Sequence, residues 1–479
     1  MRRRTLPITG ALLCTLAAAG CKVGPNYRAP AMPAPPAYSD DGHNGNWETA
    51  KPADGLDRGD WWSVYNDAQL NDLEVRCSKS NQDIEAALHV YEQAHDIVRE
   101  NHASLFPTVS IGAGASRNRI SDTQPLKPTT AAQDYWDFLV PLSISWEPDF
   151  WGAVRRQIES SSANAQASAA DLANMKLSLQ GMLAVSFLQL RGIDLQAQLL
   201  RTTLDDYTQT LNLTEGRYKG GLSTESDVEQ ATAQLEETRA QLIDLGVQRA
   251  QYEHVIAVLV GAAATGFHIA ENPLAGDPPN VPTGIPSELL QRRPDIAAAE
   301  RRVAGTNALI GVAKAAYYPN ITLGATGGVV SDAASSVFSA GSTAWSAGPS
   351  VNETLFDAGR RKAQVDYAIA QRAQATAMYR EQVLSAFRDV EDQLAALRVL
   401  ADEAVVTDRA VAAARLSTQL STLRYKRGLV PYLEVLTNQS IELADERAAA
   451  SLVARRMIAS AQLQMALGGG WKATELPAN

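Results

Sequence analysis

The chain has 479 residues and a formal net charge of −10, and it shows no basic face, which argues against nucleic acid as its main partner. Hydrophobic residues make up 45% and charged residues 20%, a composition typical of a folded protein. The three cysteines, Cys14, Cys21 and Cys77, are too few for a disulfide framework, and we expect Cys77 simply to pack at the start of a helix.

The first twenty residues are typical of a signal peptide. Arginines at 2–4 precede a short apolar run at 6–19, which is too short to predict a membrane-spanning helix. Small residues lead to Cys21 in the sequence AAGC, which resembles a bacterial lipobox. We predict a signal peptide at 1–20, lipidation of Cys21 and a proline-rich, extended strap over 21–60. An ordinary signal peptide with an incidental cysteine is the alternative.

The residue after Cys21 indicates which membrane carries the anchor. It is Lys22, and not the aspartate that in many lipoproteins signals retention at the inner membrane, so we predict an outer-membrane location. No later run of about eighteen apolar residues exists, as a membrane-spanning helix would need. Any passage through the membrane would therefore be made by β-strands.

Three pairs of similar segments follow one another in the same order, at offsets of about 207 to 212 residues. The pairs are LFPTVSIGAGAS (105–116) with YYPNITLGATGG (317–328), EPDFWGAVRRQ (147–157) with TLFDAGRRKAQ (354–364), and EGRYKGGLSTESDVEQA (215–231) with TLRYKRGLVPYLEVLTN (422–438). Chance would not preserve both order and spacing. We predict an internal duplication with repeats at 61–270 and 287–467, a linker at 271–286 and a tail at 468–479.

Four predicted strands, at about 108–118, 136–147, 320–330 and 344–355, carry apolar side chains at every second position. These are Val109, Ile111, Ala113 and Ala115; Trp136, Phe138, Val140, Leu142, Ile144 and Trp146; Ile321, Leu323 and Ala325; and Trp345, Ala347 and Val351. Such runs of about ten residues, with aromatic residues near the ends, are typical of transmembrane β-barrels. A soluble sheet with one buried face is the alternative.

Four strands cannot close a membrane barrel, because barrels need about eight or more strands and an open edge leaves backbone groups unsatisfied in lipid. If these strands enter the membrane, several copies of the chain must contribute to one barrel.

Two very long helices are predicted, at about 154–218 and 360–425, and neither contains proline. Apolar residues recur every three or four positions in both, among them Leu172, Leu179, Leu183, Phe187, Leu190 and Tyr207 in the first and Tyr379, Val383, Val390 and Leu394 in the second. About 65 residues give a rod of roughly 100 Å, which suits a tube crossing the periplasm better than a compact domain. An antiparallel coiled coil that ends in solvent is the alternative.

The chain resembles the TolC-type outer-membrane efflux proteins, in the lipoprotein branch that contains NodT and OprM. The segments that carry the resemblance span nearly the whole chain: CKVGPNY (21–27), WW..Y.D..L..L from Trp61 to Leu73, IPSELLQRRPDIAAAE (285–300) and two RY..G turns. The resemblance implies a mainly α fold with a β-barrel part, in which a trimer forms a twelve-stranded barrel, four strands from each chain, continued by a long α-helical barrel.

The function that the resemblance implies is that of an exit duct which passively conducts small molecules and catalyses no reaction. Its partners would be two further copies of the chain, outer-membrane lipid, a periplasmic adaptor and an inner-membrane transporter of the RND type. No cofactor is implied. A non-conducting structural lipoprotein of the periplasm is the alternative function, and an envelope hydrolase lacks a candidate nucleophile and base.

The resemblance also places the periplasmic gate and the adaptor-docking region at the two turns between long helices. The matching residues are Arg217, Tyr218, Gly221 and Asp227 in the first turn and Arg424, Tyr425, Gly428 and Glu434 in the second. Glycine permits the backbone reversal, and the two acids would form rings of negative charge in a trimer. Val430 and Thr437 depart from relatives that have an arginine and a second acid there. A solvated surface charge or a helix cap is the alternative role for each gate residue.

The histidines predict no metal site. His89, His95 and His102 are six and seven residues apart, which does not place them on one face of a helix.

Overall fold

The computed structural model describes residues 22–32, 59–121, 134–279 and 293–469. The predicted signal peptide, Cys21, the strap over 33–58, the linker from residue 280 and the tail from residue 470 lie outside the described residues.

Helices make up most of the described chain, and two of them are very long. The helices are α1 (Ala68–Ser80), α2 (Gln82–Ala103), α3 (Ala153–Lys219), α4 (Glu225–Leu259), α5 (Pro294–Ala315), α6 (Arg360–Lys426) and α7 (Tyr432–Ala466). Both α3 and α6 have 67 residues, and both α4 and α7 have 35. The bounds predicted for the two rods are therefore right to within a residue or two. Helices α1 and α2 are separated at Asn81, whose side chain caps α2.

The strands form one antiparallel sheet beyond the helices. They are β1 (Thr108–Ile111), β2 (Gly114–Arg119), β3 (Asp134–Trp146), β4 (Asn320–Ser331) and β5 (Thr343–Asn352), in the order β1–β3–β4–β5 with β2 also paired to β3. Both β1 and β2 follow the same register on β3, so together they occupy the first predicted strand.

Proline explains the interruption between β1 and β2. The amide of Gly112 donates to the carbonyl oxygen of Pro141 at 3.0 Å, but Pro141 has no N–H to donate in return. The ladder therefore lacks one bond at this point, and the strand is broken there although its register continues.

The sheet register places all four predicted apolar sets on one face. Val109 lies opposite Ile144, Ile144 lies opposite Ala325, and Ala325 lies opposite Ala347. Residues directly opposite each other in antiparallel strands point to the same side, so the sets align across the sheet. Trp345 and Val351 on this face are largely exposed in the single chain. One side of the sheet is thus an apolar surface that the described residues do not cover.

The helical part is organised around α3, which packs against α2, α4, α5 and α7, whereas α6 packs against α5 and α7. The predicted apolar seam of α3 is buried, with Leu183, Phe187 and Leu190 at the centre of the largest core. The seam of α6 forms a second core with α5 and the end of α7, through Val383 and Val390. Both cores extend to the middle of the rods.

The WW..Y.D..L..L segment belongs to the first core. Trp61, Trp62 and Leu70 are buried, and the carboxylate of Asp67 caps α1 by accepting from the amides of Gln69 and Leu70. The predicted packing role of Cys77 is confirmed, since its side chain is buried, although it lies in the last turn of α1 and not at a helix start.

The RRPD segment ties three helices together. Arg293 precedes α5, pairs with Asp295 at 2.6 Å and with Asp389 of α6 at 3.2 Å, and donates to the carbonyl oxygen of Ala466 at the end of α7. Burial lowers and its two carboxylate partners raise the pKa of Arg293, and the net direction is upward. The motif is therefore a structural junction.

Within the described ranges, none of the helices combines the length and the apolar character needed to span a membrane.

Candidate functional site

Both predicted gate turns reverse the chain through a glycine with positive φ. In the first turn, Gly221 has φ +69° and its neighbour Leu222 donates back to the carbonyl oxygen of Arg217 at 2.8 Å. In the second, Gly428 has φ +73° and Leu429 donates to the carbonyl oxygen of Arg424 at 2.9 Å. Positive φ strains any residue with a Cβ, so both turns need glycine.

The two turns meet within one chain. The guanidinium of Arg217 lies over the ring of Tyr425, 4.7 Å from its centroid, and donates to the carbonyl oxygen of Lys426 at 3.3 Å. The hydroxyl groups of Tyr425 and Ser223 are 3.3 Å apart. The planar guanidinium therefore joins the end of α3 to the end of α6 in two ways. Its face contacts the Tyr425 ring, and an N–H at its edge donates to Lys426.

A small apolar core supports this contact. Tyr425 and Tyr432 are buried with their ring centroids 5.6 Å apart, and Ala231 and Val435 pack against them. Burial, followed by the neighbouring Tyr207, Tyr425 and Asp227, raises the pKa of Tyr432 well above its ordinary value. The tip is thus a packed unit, and the Tyr432 phenol stays protonated.

Asp227 acts as a helix cap in the first turn. One of its carboxylate oxygens accepts from the backbone amide of Thr224 at 2.9 Å and from the hydroxyl of Ser223 at 2.8 Å, and its own amide donates to the Thr224 hydroxyl. Burial alone would raise the pKa of Asp227, but these hydrogen bonds and the charge of Arg217 lower it. Asp227 is therefore ionised at neutral pH and forms a capping box with Thr224.

The second turn is built differently. Val430 and Pro431 stand where the first turn has Ser223 and Thr224, so no hydroxyl caps α7. Glu434 instead accepts from the guanidinium of Arg424 at 3.0 Å, with both groups largely exposed.

The structure brings some of the predicted gate residues together and leaves others apart. Arg217 and Tyr425 are in contact, and Arg424 and Glu434 form a pair. Tyr218, by contrast, is exposed. The residues that sequence reasoning missed are Ser223, Thr224 and Tyr432. The pattern S-T-x-x-D at 223–227 was the available signal for the cap, whereas Tyr432 gave none.

A groove of about 1040 Å³ opens above the turns between α3, α6 and α7. Its polar lining includes Asp206, Arg415, Glu442 and Glu446. Burial, and next the charge of Asp205, raise the pKa of Asp206, while burial and the nearby acids raise that of Glu442. Arg415 pairs with Glu446 at 2.5 Å. The groove is therefore an elongated polar surface along three helices, lined by three acids and by the bases Arg415 and Lys426.

At the opposite end of α3, the N-terminal segment is clamped to the body. Arg156, fully buried, donates to the carbonyl oxygens of Val23 and Gly24 and to the side chain of Asn26 at 3.0–3.2 Å. Gly24 lies so close to Gly311 that a Cβ on Gly24 would be 2.4 Å from the Gly311 Cα. These contacts hold the residues that follow Cys21 beside the start of α3.

Aromatic residues surround this junction of sheet and helices. The amide of Val23 donates to the carbonyl oxygen of Trp151, and the Trp151 ring stacks on Tyr318 at 4.8 Å. Large apolar side chains in the adjoining loops are exposed: Phe106, Phe150, Tyr317, Leu355 and Phe356. Such a belt is typical of a membrane–water interface.

Known proteins share both sequence and fold with this chain. It is 31% identical over 424 residues to the pyoverdine export outer membrane protein OpmQ of Pseudomonas aeruginosa, covering 88% of this chain and 89% of that protein. It is 29% identical over 458 residues to the cation efflux system protein CusC of Escherichia coli, covering 95% and 97%. The solved structure of the outer-membrane channel OprN matches with a TM-score of 0.86 at 29% identity, over 94% of this chain and all of that one.

The sequence profile of one family, described as outer membrane efflux protein, matches two stretches of the chain, residues 76–262 and 285–469. Together these stretches span most of the chain, and they contain both turns and every strand described above. The chain therefore belongs to the outer membrane efflux protein family.

Proposed function

We propose that three copies of this chain form a passive exit duct through the outer membrane, which receives small molecules from a periplasmic adaptor and an inner-membrane transporter. Membership of the family makes the chain an outer-membrane channel of an efflux system. The observation that carries the proposal further is the sheet, whose uncovered apolar face and two open edges, β1 and β5, require partners.

The trimer follows from the edges. Among the described residues the sheet ends at β1 on one side and at β5 on the other, which leaves backbone groups unpaired at both edges. Unpaired backbone groups are unfavourable in lipid. Joining β5 of one copy to β1 of the next pairs these groups, and four strand positions from each of three copies make the twelve-stranded barrel that the resemblance implies.

We propose in addition that the chain arose by internal duplication. The supporting observations are the equal lengths of α3 and α6 and of α4 and α7, and the two separate matches of one family profile. The proposed repeats, 61–270 and 287–467, would give the α-helical barrel two similar hairpins from each copy.

The lipid anchor is proposed at Cys21. Support comes from the clamp on Val23 and Gly24 and from the aromatic belt around Trp151, since the clamp holds residue 22 at the level where the belt would meet the membrane surface. A lipid on the preceding residue could enter the same leaflet.

Replacing Cys21 with serine tests the anchor. We expect the Cys21→Ser protein to lose labelling by a radioactive fatty acid, whereas a Cys77→Ser control keeps it because Cys77 is buried in the core. Labelling of the Cys21→Ser protein equal to that of the unchanged chain would contradict the anchor.

The two turns are proposed as the periplasmic gate, in which three copies place Asp227 and Glu434 around the axis as rings of negative charge. The lowered pKa of Asp227 supports this role, because its charge persists at neutral pH. Arg217 stacked on Tyr425 would hold the tip closed, and opening would require the turns to separate.

For the adaptor we propose the same turns together with the polar groove between α3, α6 and α7. The groove is long and lies beside the tip, so a helical hairpin from the adaptor could lie in it. For the transporter, the RND type is proposed from the resemblance. We propose no cofactor and no catalysis.

Conductance in a planar bilayer tests the duct. We expect purified protein to give discrete conductance steps, and the double variant Asp227→Asn, Glu434→Gln to change cation selectivity or block by multivalent cations. The matched control is Asp83→Asn, Glu85→Gln, which removes two exposed acids from the first turn of α2 and should leave both properties unchanged.

The outcomes separate the proposals. If the unchanged protein gives no steps, the structural lipoprotein replaces the duct. If steps appear but the double variant behaves like the control, the duct stands and the two acids are not part of the gate.

A further inference from the structure

The apolar face of the sheet ends in positive charge on the side away from the helices. Helix α2 leads into β1 and β3 leads towards α3, so the far end of the sheet is where β2 ends and β3 begins. Along β1 and β2, apolar side chains occupy this face until two arginines follow at the last two positions. In chain order these residues are Val109, Ile111, Ala113, Ala115, Arg117 and Arg119.

The register shows that both arginines belong to the apolar face. Arg117 lies directly opposite Trp136, and Arg119 lies opposite Asp134. Residues that oppose each other in antiparallel strands point to the same side. Trp136 is on the side of Phe138 and Ile144, because side chains alternate along β3.

Two tryptophans mark the limits of the apolar part of this face. Trp136 and Trp146 stand at positions 136 and 146 of β3, on the same side. Ten residues span about 34 Å along a strand, and about 26 Å along the membrane normal if the strand is tilted by about 40°. A membrane barrel has an apolar band of about 25 Å between two aromatic girdles. Arg117, opposite Trp136, is therefore at the level of the lipid headgroups.

The guanidinium of Arg117 has an aromatic contact but no acid beside it. Its Cζ lies 5.9 Å from the centroid of the Trp136 ring, and that ring stacks on Phe138 with centroids 5.6 Å apart. In the described part of the chain, no ion pair joins Arg117 to a carboxylate. A guanidinium whose face rests on a ring keeps the N–H groups of its edge for an anion.

Arg119 is only weakly neutralised. Its nearest nitrogen is 3.9 Å from the carboxylate of Asp134, which is too long for a hydrogen bond. The side chains of Arg119 and Asp134 are 65% and 47% exposed. Two guanidinium groups thus stand on one face with a single acid, and both present free donors to the surroundings of the sheet.

The other face differs at the same level. Ser116 and Asn118 lie there, and the amide of Asn118 donates to the Ser116 hydroxyl at 2.9 Å. Asp137 lies opposite Ser116 on this face. The positive charge is therefore restricted to the face that carries the apolar side chains.

We propose that Arg117 and Arg119 bind the phosphate groups of a phosphorylated lipid in the outer leaflet of the outer membrane. The inference rests on the proposed duct, which places the apolar face in lipid and the helices in the periplasm. Guanidinium groups bind phosphate oxygens through parallel N–H···O hydrogen bonds. The acyl chains of the same lipid would lie along Ala115 and Phe138, the next residues of this face towards the helices.

The site would hold the sheet at a fixed depth from the outer surface. The proposed lipid on Cys21 would act at the opposite surface, since residue 22 is held beside the start of α3. Each chain would then be attached to both leaflets, by its own acyl chains on one side and by a bound lipid on the other.

Lipid binding to the intact protein in mild detergent tests the proposal. Native mass spectrometry counts the molecules of lipid A, a phosphorylated lipid, on the purified protein as the lipid concentration is raised. We expect the double variant Arg117→Gln, Arg119→Gln to bind lipid A about tenfold more weakly or worse, because each arginine beside the phosphates adds attraction.

The matched control is Arg99→Gln, Arg239→Gln. It removes the same charge from two exposed arginines of α2 and α4, each paired with an acid of its own helix, at a distance from the sheet. The control should bind lipid A as tightly as the unchanged protein does.

Two further ligands identify the source of the phosphate. The unchanged protein is measured with fully dephosphorylated lipid A, which should bind about tenfold more weakly or worse. Inorganic phosphate at millimolar concentration is added as a competitor and should not displace lipid A, because it lacks the acyl chains that cover the apolar face.

Each outcome decides for or against the site. Equal binding of lipid A by the double variant and the unchanged protein would overturn it. Equal binding of dephosphorylated lipid A by the unchanged protein would also overturn it, and this measurement needs no variant. Displacement by inorganic phosphate would exclude the lipid as the occupant. Conductance steps from the same preparation keep the duct separate, since steps without any dependence of binding on phosphate leave the duct intact.

Discussion

At the residue scale, a carboxyl group is buried away from the proposed gate. Glu74 on α1 is 0% exposed, and neither of its carboxyl oxygens has a hydrogen-bond partner among the described residues. Burial raises the pKa of Glu74 from 4.5 to about 9, so the side chain is protonated and neutral at neutral pH. A buried acid of this kind makes the stability of the fold depend on pH.

Because the folded state keeps a proton that the unfolded state releases, stability should fall as pH rises from about 4.5 to about 9. Glu74→Gln removes this dependence, and we expect it to stabilise the protein at pH near 8 by about 1–3 kcal/mol. Thermal unfolding at several pH values measures the effect. Asp72→Asn on the exposed side of the same helix is the control and should be neutral. An equal loss of stability with Glu74→Gln at every pH would contradict the assignment.

At the scale of elements, the two helix turns combine a backbone requirement with different caps. The first has a capping box on Asp227, and the second has Pro431 at the cap position. Since the pKa of Asp227 is lowered, its contribution to stability is present above its ordinary value of 3.8 and is lost as pH falls through the lower folded value. The capping box of the first turn should thus weaken only in strong acid.

Gly221→Ala tests the backbone of the first turn. A Cβ at Gly221 meets no atom within 4 Å, so its cost comes only from the positive φ and should be about 1–2 kcal/mol. Gly216→Ala, five residues earlier inside α3, also meets nothing within 4 Å and should instead stabilise by about 1 kcal/mol. Melting of the helices followed by circular dichroism measures both. A stabilising Gly221→Ala would refute the positive φ.

At the scale of the whole molecule, the sheet and the rods leave different kinds of surface without a partner among the described residues. The sheet exposes an apolar face and two edges, whereas the rods bury their seams but leave valines and a tyrosine uncovered. In the proposed duct, lipid covers the apolar face of the sheet and neighbouring copies pair with its two edges.

Two neighbouring positions on β4 distinguish the faces of the sheet. Ala325 lies opposite Ile144 and Ala347 on the apolar face, while Thr326 lies opposite Ser143 and Ser346 on the other. Ala325→Arg would put a charge in lipid and should cost about 2–4 kcal/mol, whereas Thr326→Arg should be tolerated in the lumen.

The measurement for this pair is the fraction of each variant that assembles in the outer membrane as a species resistant to detergent dissociation. We expect a large loss for Ala325→Arg only. Equal assembly of both variants would mean that neither face meets lipid, and the soluble sheet considered above would then be the better description.

Local pattern by itself determined the rods, the strands and the turns of this protein. The absence of proline and the spacing of apolar residues located α3 and α6 almost to their ends, because helix formation depends mainly on nearby residues. Alternation assigned Val109, Ile144 and Ala325 to one face, since side chains in a strand change sides at every residue. The interruption at Pro141 is also local in origin, but it depends on which residue lies opposite, and the sequence alone does not state the register.

Only the tertiary structure decided which partners these elements meet. Arg217 and Tyr425 are separated by about two hundred residues in the chain, and no local pattern indicates that they touch or that Tyr218 stays exposed while Tyr425 is buried. No local pattern indicates that Arg156 is buried under Val23, or that Glu74 is buried beside the first core. Contacts between distant segments depend on how helices pack, and packing is a property of the assembled side chains that periodicity does not contain.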